Sequence, residues 1–398
     1  MQHAAGTNEH VACVRVRLVR WVILPATLLL FLASLLVLVS APTERLWIAA
    51  IVMSEWGHYA ALACVCIVAI AFGAGRIGLT IAFVAAITAL ICMLPTLRAF
   101  AISRALPNRC TAAFGTVSRS GRPFDPVVLF RGHDLAAVTV SEHEYAKPDR
   151  KSLRLDLYRL GAAAEPQPLV IMIHGGSWNG GSKRQLRAIN RWLAGQRYTV
   201  ASINYRHAPK WRSPAPVDDV FAAIDFLRVN AQQLHIDATR IVLIGRSAGG
   251  QIALSAAYSG RDAAIRGVVS FYAPTDLVLG YGKPSRRSVL DSKKALEDYL
   301  GGSPTEQPAA YAAASPLRHV NSSTPPTLLM HGELDPIVWP LHSELLSARL
   351  KEAGRPSLYL SLPWATHGCD ANISGPSGQL SLYAIGRFLD AVLETAVP

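Results

Sequence analysis

Three long apolar runs dominate the beginning of the chain. They cover residues 21–39, 56–74 and 77–94, and charged residues are almost absent from them. Each run is close to the ~20 residues with which an α-helix crosses a bilayer. A fourth run, residues 46–53, is too short to cross, so we expect it to lie at the membrane interface or to extend the second helix past Glu55. The pattern predicts about three transmembrane helices within residues 1–98.

The distribution of arginines bears on the orientation of these helices. Three arginines between residues 15 and 20 precede the first run and favour a cytoplasmic start, so three crossings place the rest of the chain on the external, periplasmic side of the plasma or inner membrane. Three more arginines between residues 98 and 109 act against this orientation. A cleaved signal peptide ending near Ser40 and Ala41 is the alternative for the first run, although the two later runs would still be membrane-bound.

After residue 98 the pattern changes twice. Residues 99–134 contain a stretch rich in Arg, Gly, Ser and Pro, which predicts a linker that packs partly on the domain after it. From residue 135 to 398, short apolar runs alternate with amphipathic stretches, as in an α/β domain with a mainly parallel sheet. The predicted strands are residues 137–140 and 153–158, as an antiparallel edge hairpin, then 168–173, 326–331 and 358–362. The predicted helices are residues 184–195, 217–230 and 379–395.

A glycine-flanked serine is the first sign of chemistry. Ser247 lies in the sequence Gly-Arg-Ser-Ala-Gly, between an apolar run and an Ala-rich helical stretch. A nucleophile elbow requires this strand-turn-helix context, because Gly245 and Gly249 must lack side chains for strand and helix to approach. By itself the pattern also fits a tight turn with a serine at a helix N-cap.

A second glycine pair follows the strand predicted at residues 168–173. Gly175 and Gly176 come directly after His174, and glycines in such a loop leave backbone N–H groups unobstructed. An attacked carbonyl develops an oxyanion that needs such donors. We assign the oxyanion hole to the amides of Gly175 and Gly176 and to that of Ala248, the residue after the serine.

A serine nucleophile needs a base, and the base needs an acid that orients it. His367 follows the strand predicted at residues 358–362, and Asp335 follows the strand predicted at residues 326–331. The order Ser247, Asp335, His367 is that of α/β-hydrolases rather than of trypsin-like or subtilisin-like proteases. Asp276 and Glu333 compete for the role of the acid.

The motifs together resemble the hormone-sensitive-lipase-like and feruloyl-esterase-like carboxylesterase branch of the α/β-hydrolases, from about Asp156 to the C-terminus. The resemblance rests on the oxyanion loop at residues 174–176, a Tyr-Arg-x-Ala-Pro-like segment at 205–209, the elbow at 245–250 and the acid loop at 331–336. It implies a serine esterase, acetyl esterase or lipase, with a small-molecule or lipid ester as the substrate. Arg246, where the family often has an acidic or polar residue, is expected to pair with a local carboxylate or else to favour an anionic substrate.

The sequence leaves other activities open and argues against some partners. The same residues would serve an acyltransferase or a small-amide hydrolase, and a non-catalytic membrane-anchored binding protein is a further alternative. The net charge of +12 is dispersed, which favours anionic lipid headgroups and argues against nucleic acid. The cysteine spacings match no zinc or redox site, so no metal or cofactor is expected, and Cys110 and Cys369 are the pair able to bridge in an oxidising compartment. The oligomeric state is not predicted.

Overall fold

The computed structural model describes residues 19–72, 75–117, 121–161, 165–185 and 187–393. Eight strands form one sheet. They are β1 Thr139–Ala146, β2 Leu153–Arg159, β3 Gln167–Ile173, β4 Thr199–Ile203, β5 Ile236–Arg246, β6 Ile265–Phe271, β7 Thr327–Gly332 and β8 Ser357–Leu362. The strand order is β1-β2-β4-β3-β5-β6-β7-β8. Strand β2 pairs antiparallel with β1 and with β4, and every other neighbouring pair is parallel.

The sheet separates two hydrophobic cores. Along β3, Leu169 and Ile171 belong to the core on one face, whereas Val170 and Met172 belong to the core on the other. Alternate residues of a strand point to opposite faces, so an unbroken apolar strand is the sequence signature of a sheet covered on both sides. The predicted α/β fold with a mainly parallel sheet and an antiparallel edge hairpin is confirmed.

Helices cover both faces of the sheet and precede it. In chain order they are α1 Leu24–Ser34, α2 Glu44–Ala71, α3 Gly75–Phe114, α4 Pro126–Arg131, α5 Arg187–Gly195, α6 Ala215–Val229, α7 Ala231–Leu234, α8 Ala248–Tyr258, α9 Leu277–Gly282, α10 Ser292–Leu300, α11 Pro308–Ala313, α12 Leu341–Glu352 and α13 Pro376–Leu393. Short π- or 3₁₀-helical turns lie at Val19–Ile23, Leu35–Val37, Pro148–Arg150 and Pro316–His319. The last predicted helix falls partly beyond the described residues, since residues 394 and 395 lie outside them.

The apolar runs at the start of the chain form a bundle. Within the described residues, α2 and α3 are long and apolar enough to cross a membrane, and the first run forms a shorter apolar helical segment, Trp21–Val37. Residues 46–53 are the first turns of α2, which begins after the cap residue Thr43. Helices α2 and α3 run antiparallel and pack so closely that a Cβ on Gly57 would lie 2.8 Å from the carbonyl oxygen of Cys92.

Helix α3 is longer than the sequence pattern predicted. The third apolar run was expected to end at residue 94, but the helix continues through Pro95 and Pro107 to Phe114. The predicted linker at 99–134 therefore begins inside a helix. Tertiary packing outweighs the prolines here, because the Phe114 ring meets the Phe388 ring of α13 edge to face at 5.0 Å.

The rest of the predicted linker also contacts α13 and the loop before it. The backbone N–H of Asp125 donates to the side-chain oxygen of Gln379 at 2.8 Å, and that of His133 donates to Ser374 Oγ at 2.9 Å. Helix α4 lies between these two anchors and places the carbonyl of Leu129 against His58 of α2. The N-terminal helices and the α/β domain are thus joined along a continuous interface.

Candidate active site

Ser247 sits at a sharp turn between β5 and α8. Its backbone has φ 52° and ψ −124°, a conformation that costs a non-glycine residue free energy and is found at nucleophile elbows. The two flanking glycines are sterically required. A Cβ on Gly245 would overlap the carbonyl of Gly249, and a Cβ on Gly249 would overlap that of His174. The strand-turn-helix context expected from the sequence is present.

The structure brings the three predicted side chains together. His367 Nε2 lies 3.0 Å from Ser247 Oγ, and His367 Nδ1 lies 2.6 Å from Asp335 Oδ2. Since the carboxylate can only accept, the Nδ1–H donates to Asp335 and Nε2 is left to accept the serine proton. All three residues follow the carboxyl ends of parallel strands, β5, β7 and β8, which meet at one edge of the sheet.

Asp335 is buried and surrounded by donors. Its Oδ1 accepts hydrogen bonds from the backbone N–H groups of Ile337 and Val338 at 2.8 and 2.9 Å. Its Oδ2 also lies 3.2 Å from His331 Nε2. Burial alone would raise the pKa of Asp335, but His367 and His331 hold it well below its usual range. The group is therefore a carboxylate at neutral pH.

The contact of His331 with Asp335 was not predicted. His331 Nε2 faces two acceptors, Asp335 and the carbonyl oxygen of Val338, so it carries the proton, while Nδ1 lies 2.7 Å from Ser343 Oγ. No sequence pattern assigned a role to this histidine. Its position four residues before the acid, at the end of β7, is the signal that was available.

The rival residues are engaged elsewhere. Asp276 accepts hydrogen bonds from the first turn of α9 and so caps that helix. Glu333 accepts a hydrogen bond from Ser361 at the surface.

Cys369 is buried, which raises the pKa of its thiol. Both Cys369 and Cys110 are free, so the disulfide between them is not formed.

The glycine loop after β3 faces the serine. A Cβ on Gly175 would lie 3.3 Å from Ser247 Cβ, and Gly176 has φ 126°. Within the described residues, no backbone hydrogen bond engages the N–H groups of Gly175, Gly176 or Ala248. These amides are therefore not committed to a backbone acceptor there, and Gly175, Gly176 and Ser247 line one cavity. His174 stays neutral beneath them, because burial lowers its pKa to about 4.

Arg246 pairs with a carboxylate, which is the first of the two roles predicted for it. Its guanidinium donates to Asp370 Oδ1 at 2.6 Å and to the Tyr272 hydroxyl at 2.8 Å, and Tyr272 also donates to Asp370. The Tyr272 ring packs against His367 with 4.3 Å between ring centroids. The charge beside the nucleophile is thus compensated, and the same cluster supports the histidine.

Helix α2 also reaches the site, which no sequence pattern indicated. The indole N–H of Trp47 donates to the carbonyl oxygen of His367 at 2.7 Å, and Ile51 packs on Gly368. One helical turn further, Glu55 accepts a hydrogen bond from the N–H of Ser377 at 3.2 Å. The loop that carries His367 is therefore stabilised by contacts with α2.

Comparison with known proteins identifies the fold family. Residues 155–350 match the BD-FAE family model, and the match contains the glycine loop, Ser247 and Asp335. The chain has the α/β-hydrolase fold, and the family match covers 196 of its 398 residues. Esterase LipQ of Mycobacterium tuberculosis H37Rv is 30% identical over 254 residues, which are 60% of this chain and 59% of LipQ. LipM of the same organism, a probable carboxylic ester hydrolase, is 26% identical over 316 residues, 73% of this chain and 70% of LipM.

Solved structures agree on this fold. An esterase of the fungus Rhizomucor miehei has 24% identity and a TM-score of 0.56, and it covers 65% of this chain and 85% of its own. A bacterial heroin esterase has 23% identity and a TM-score of 0.55, and the alignment covers 74% of this chain and 93% of the esterase. The predicted resemblance to the carboxylesterase branch is confirmed. The aligned regions span only about 60% of LipQ and of a further relative, esterase LipC, at 59% and 62%.

Proposed function

We propose that the hydrolase is a membrane-anchored carboxylic ester hydrolase with Ser247 as nucleophile, His367 as base and Asp335 as the orienting acid. The observation that carries this proposal is the position of the imidazole, which bridges the serine oxygen at 3.0 Å and the carboxylate at 2.6 Å. The protonated Nδ1 fixes the tautomer in which Nε2 can remove the serine proton. The esterase relatives support an ester as substrate.

The proposed reaction is acyl transfer to water. Ser247 Oγ attacks the ester carbonyl while His367 takes its proton, and the amides of Gly175, Gly176 and Ala248 stabilise the oxyanion. His367 then protonates the leaving alcohol, which departs from the tetrahedral intermediate. Water activated by the same imidazole releases the acid and regenerates the serine. The low pKa of Asp335 keeps a negative charge beside the imidazolium throughout.

The membrane assignment rests on the bundle formed by α1, α2 and α3. Helix α3 has no charged residue between Arg76 and Arg98, and these 21 residues span about 32 Å, close to the ~30 Å hydrocarbon core of a bilayer. Ile23 packs with Ala71 and Ile81 at the end of the bundle remote from the α/β domain. Ile23 and the α/β domain thus lie at opposite ends of the bundle, which supports an external hydrolase domain when the arginines at residues 15–20 are cytoplasmic.

The test is ester hydrolysis by the full chain in detergent micelles. p-Nitrophenyl acetate, butyrate and decanoate are compared between the wild type, Ser247→Ala and Ser259→Ala, a control serine exposed at the end of α8. We expect Ser247→Ala to reduce kcat roughly 10⁴-fold or more and Ser259→Ala to retain activity. A folded Ser247→Ala variant with wild-type turnover would refute the assignment of the nucleophile.

A further inference from the structure

Two cavities meet at Ser247. The first lies wholly within the α/β domain, and no residue of the N-terminal helices lines it. Its walls include Trp178, Leu296 and Val338. The second is larger and lies between the α/β domain and α2, with Trp47 and Ile51 in its wall. Ser247 therefore lines both a cavity formed by the α/β domain alone and a cavity formed by the α/β domain together with α2.

The position of His367 assigns a half of the ester to each cavity. The imidazole must protonate the leaving alcohol, so the alcohol departs on the side that His367 faces. His367 lines the second cavity and is absent from the first. The first cavity then receives the acyl group and the second receives the alcohol.

The acyl cavity is small and mostly apolar, and Lys283 is the charged side chain among its lining residues. Trp178 is fixed by stacking on Tyr299 at 4.6 Å between ring centroids and by a 2.8 Å hydrogen bond to Gln251, so the wall is rigid. His342 also lines this cavity, and burial lowers its pKa to about 4, which keeps it neutral. Such a cavity suits a short acyl group.

The alcohol cavity lies at the level where the bilayer begins. Gly57 of α2 contacts Cys92 of α3. In this antiparallel pair, Ile51 and Arg98 each lie six residues, or about 9 Å, from that contact toward the α/β domain. Arg98 ends the 21-residue uncharged stretch of α3, so Ile51 lies at the edge of the hydrocarbon core.

The protein surface at this level is also apolar. Val127 and Phe130 of α4 are 62% and 52% exposed, and the Phe130 ring packs edge to face on Tyr59 of α2 at 5.6 Å. Exposed apolar side chains beside candidate spans are typical of a surface that rests in the membrane interface. The buried Glu55 nearby is covered by the first turn of α13, where the N–H of Ser377 donates to its carboxylate.

We infer that the substrate is a short-chain acyl ester of a membrane-resident lipid alcohol, with the alcohol half against α2 in the bilayer interface. This inference rests on the proposed function. The ester C–O bond to the lipid alcohol breaks as the acyl group bonds to Ser247 Oγ, and the serine proton passes through His367 to the alcohol oxygen. Water then cleaves the acyl-enzyme. The lipid alcohol stays in the membrane and a short carboxylic acid leaves into water.

The test compares two isomeric esters in phosphatidylcholine vesicles that contain the full chain. Hexadecyl acetate has a short acyl group and a long alcohol. Ethyl hexadecanoate is its isomer, with a long acyl group and a short alcohol. We expect hexadecyl acetate to be hydrolysed at least tenfold faster. Equal rates or the reverse preference would overturn the inference, as would serine-dependent cleavage of p-nitrophenyl acetate with neither lipid ester cleaved. Loss of all three activities would instead overturn the proposed function, and the inference with it.

A matched pair of variants tests the role of α2. Ile51→Gln places a polar group in the wall of the alcohol cavity, whereas Ile48→Gln makes the same change three residues earlier, at a side chain that is 53% exposed and outside the cavity. We expect Ile51→Gln to lower the ratio of the hexadecyl acetate rate to the p-nitrophenyl acetate rate roughly fivefold or more. Ile48→Gln should retain the wild-type ratio. An unchanged ratio in Ile51→Gln would contradict the assignment of this cavity to the alcohol.

Discussion

The hydrogen bond from Trp47 to the loop that carries His367 yields the most direct prediction. Trp47→Phe keeps an aromatic ring on α2 but removes the indole N–H, which donates to the carbonyl oxygen of His367 at 2.7 Å. A hydrogen bond of this kind contributes about 0.5–1.5 kcal/mol net. If that free energy holds His367 in line with Ser247, its loss lowers kcat about 2- to 13-fold.

Two rates measured on the full chain in detergent test this reasoning. One is kcat for p-nitrophenyl acetate, and the other is the rate at which diisopropyl fluorophosphate modifies Ser247, which also requires the base. Both should fall by a similar factor, because both depend on the position of His367. Trp56→Phe is the control, since Trp56 lies on the same helix but outside the cavity. Wild-type values of both rates in Trp47→Phe would refute a positioning role for α2.

Two further predictions concern buried charges. Asp335→Asn should be less stable than the wild type at pH 7, and the difference should shrink below about pH 4, because a carboxyl with a depressed folded-state pKa loses its stabilising effect as pH falls through that pKa. Thermal unfolding at pH 7 and pH 3 measures this, and a difference independent of pH would contradict it. Arg246→Met should cost about 3–5 kcal/mol by stranding the buried Asp370, and the double variant with Asp370→Asn should cost less, as denaturant unfolding would show. Additive losses would argue against the pairing.

The residues around the nucleophile could be predicted because local pattern and topology agree there. Ser247, Asp335 and His367 each follow an apolar strand, and parallel strands bring their carboxyl ends to one edge of the sheet. The glycine loop was predictable for the same reason. Arg246 was harder, since the sequence contains many carboxylates and does not show which of them lies within reach.

The parts that sequence could not predict depend on contacts between distant segments. Helix α3 passes Pro107 because its last turns pack on α13, and a proline in an isolated sequence signals the opposite. Trp47 lies in an apolar stretch where an indole is typical of the membrane interface, so nothing marked it as a neighbour of His367. Hydrophobic periodicity reports which face of a helix is buried, not what buries it.

The contact between Trp47 and His367 joins residues that are 320 positions apart. During synthesis, α2 emerges early and the loop containing His367 emerges near the end, so the proposed catalytic centre is incomplete for most of translation. Closing so long a loop is among the slower steps of folding. In a membrane-anchored hydrolase, ester cleavage would therefore begin only after the anchor is in place and the last helix has docked on it. Maturation of the membrane-anchored hydrolase that we propose would thus have a built-in order, in which insertion comes before activity.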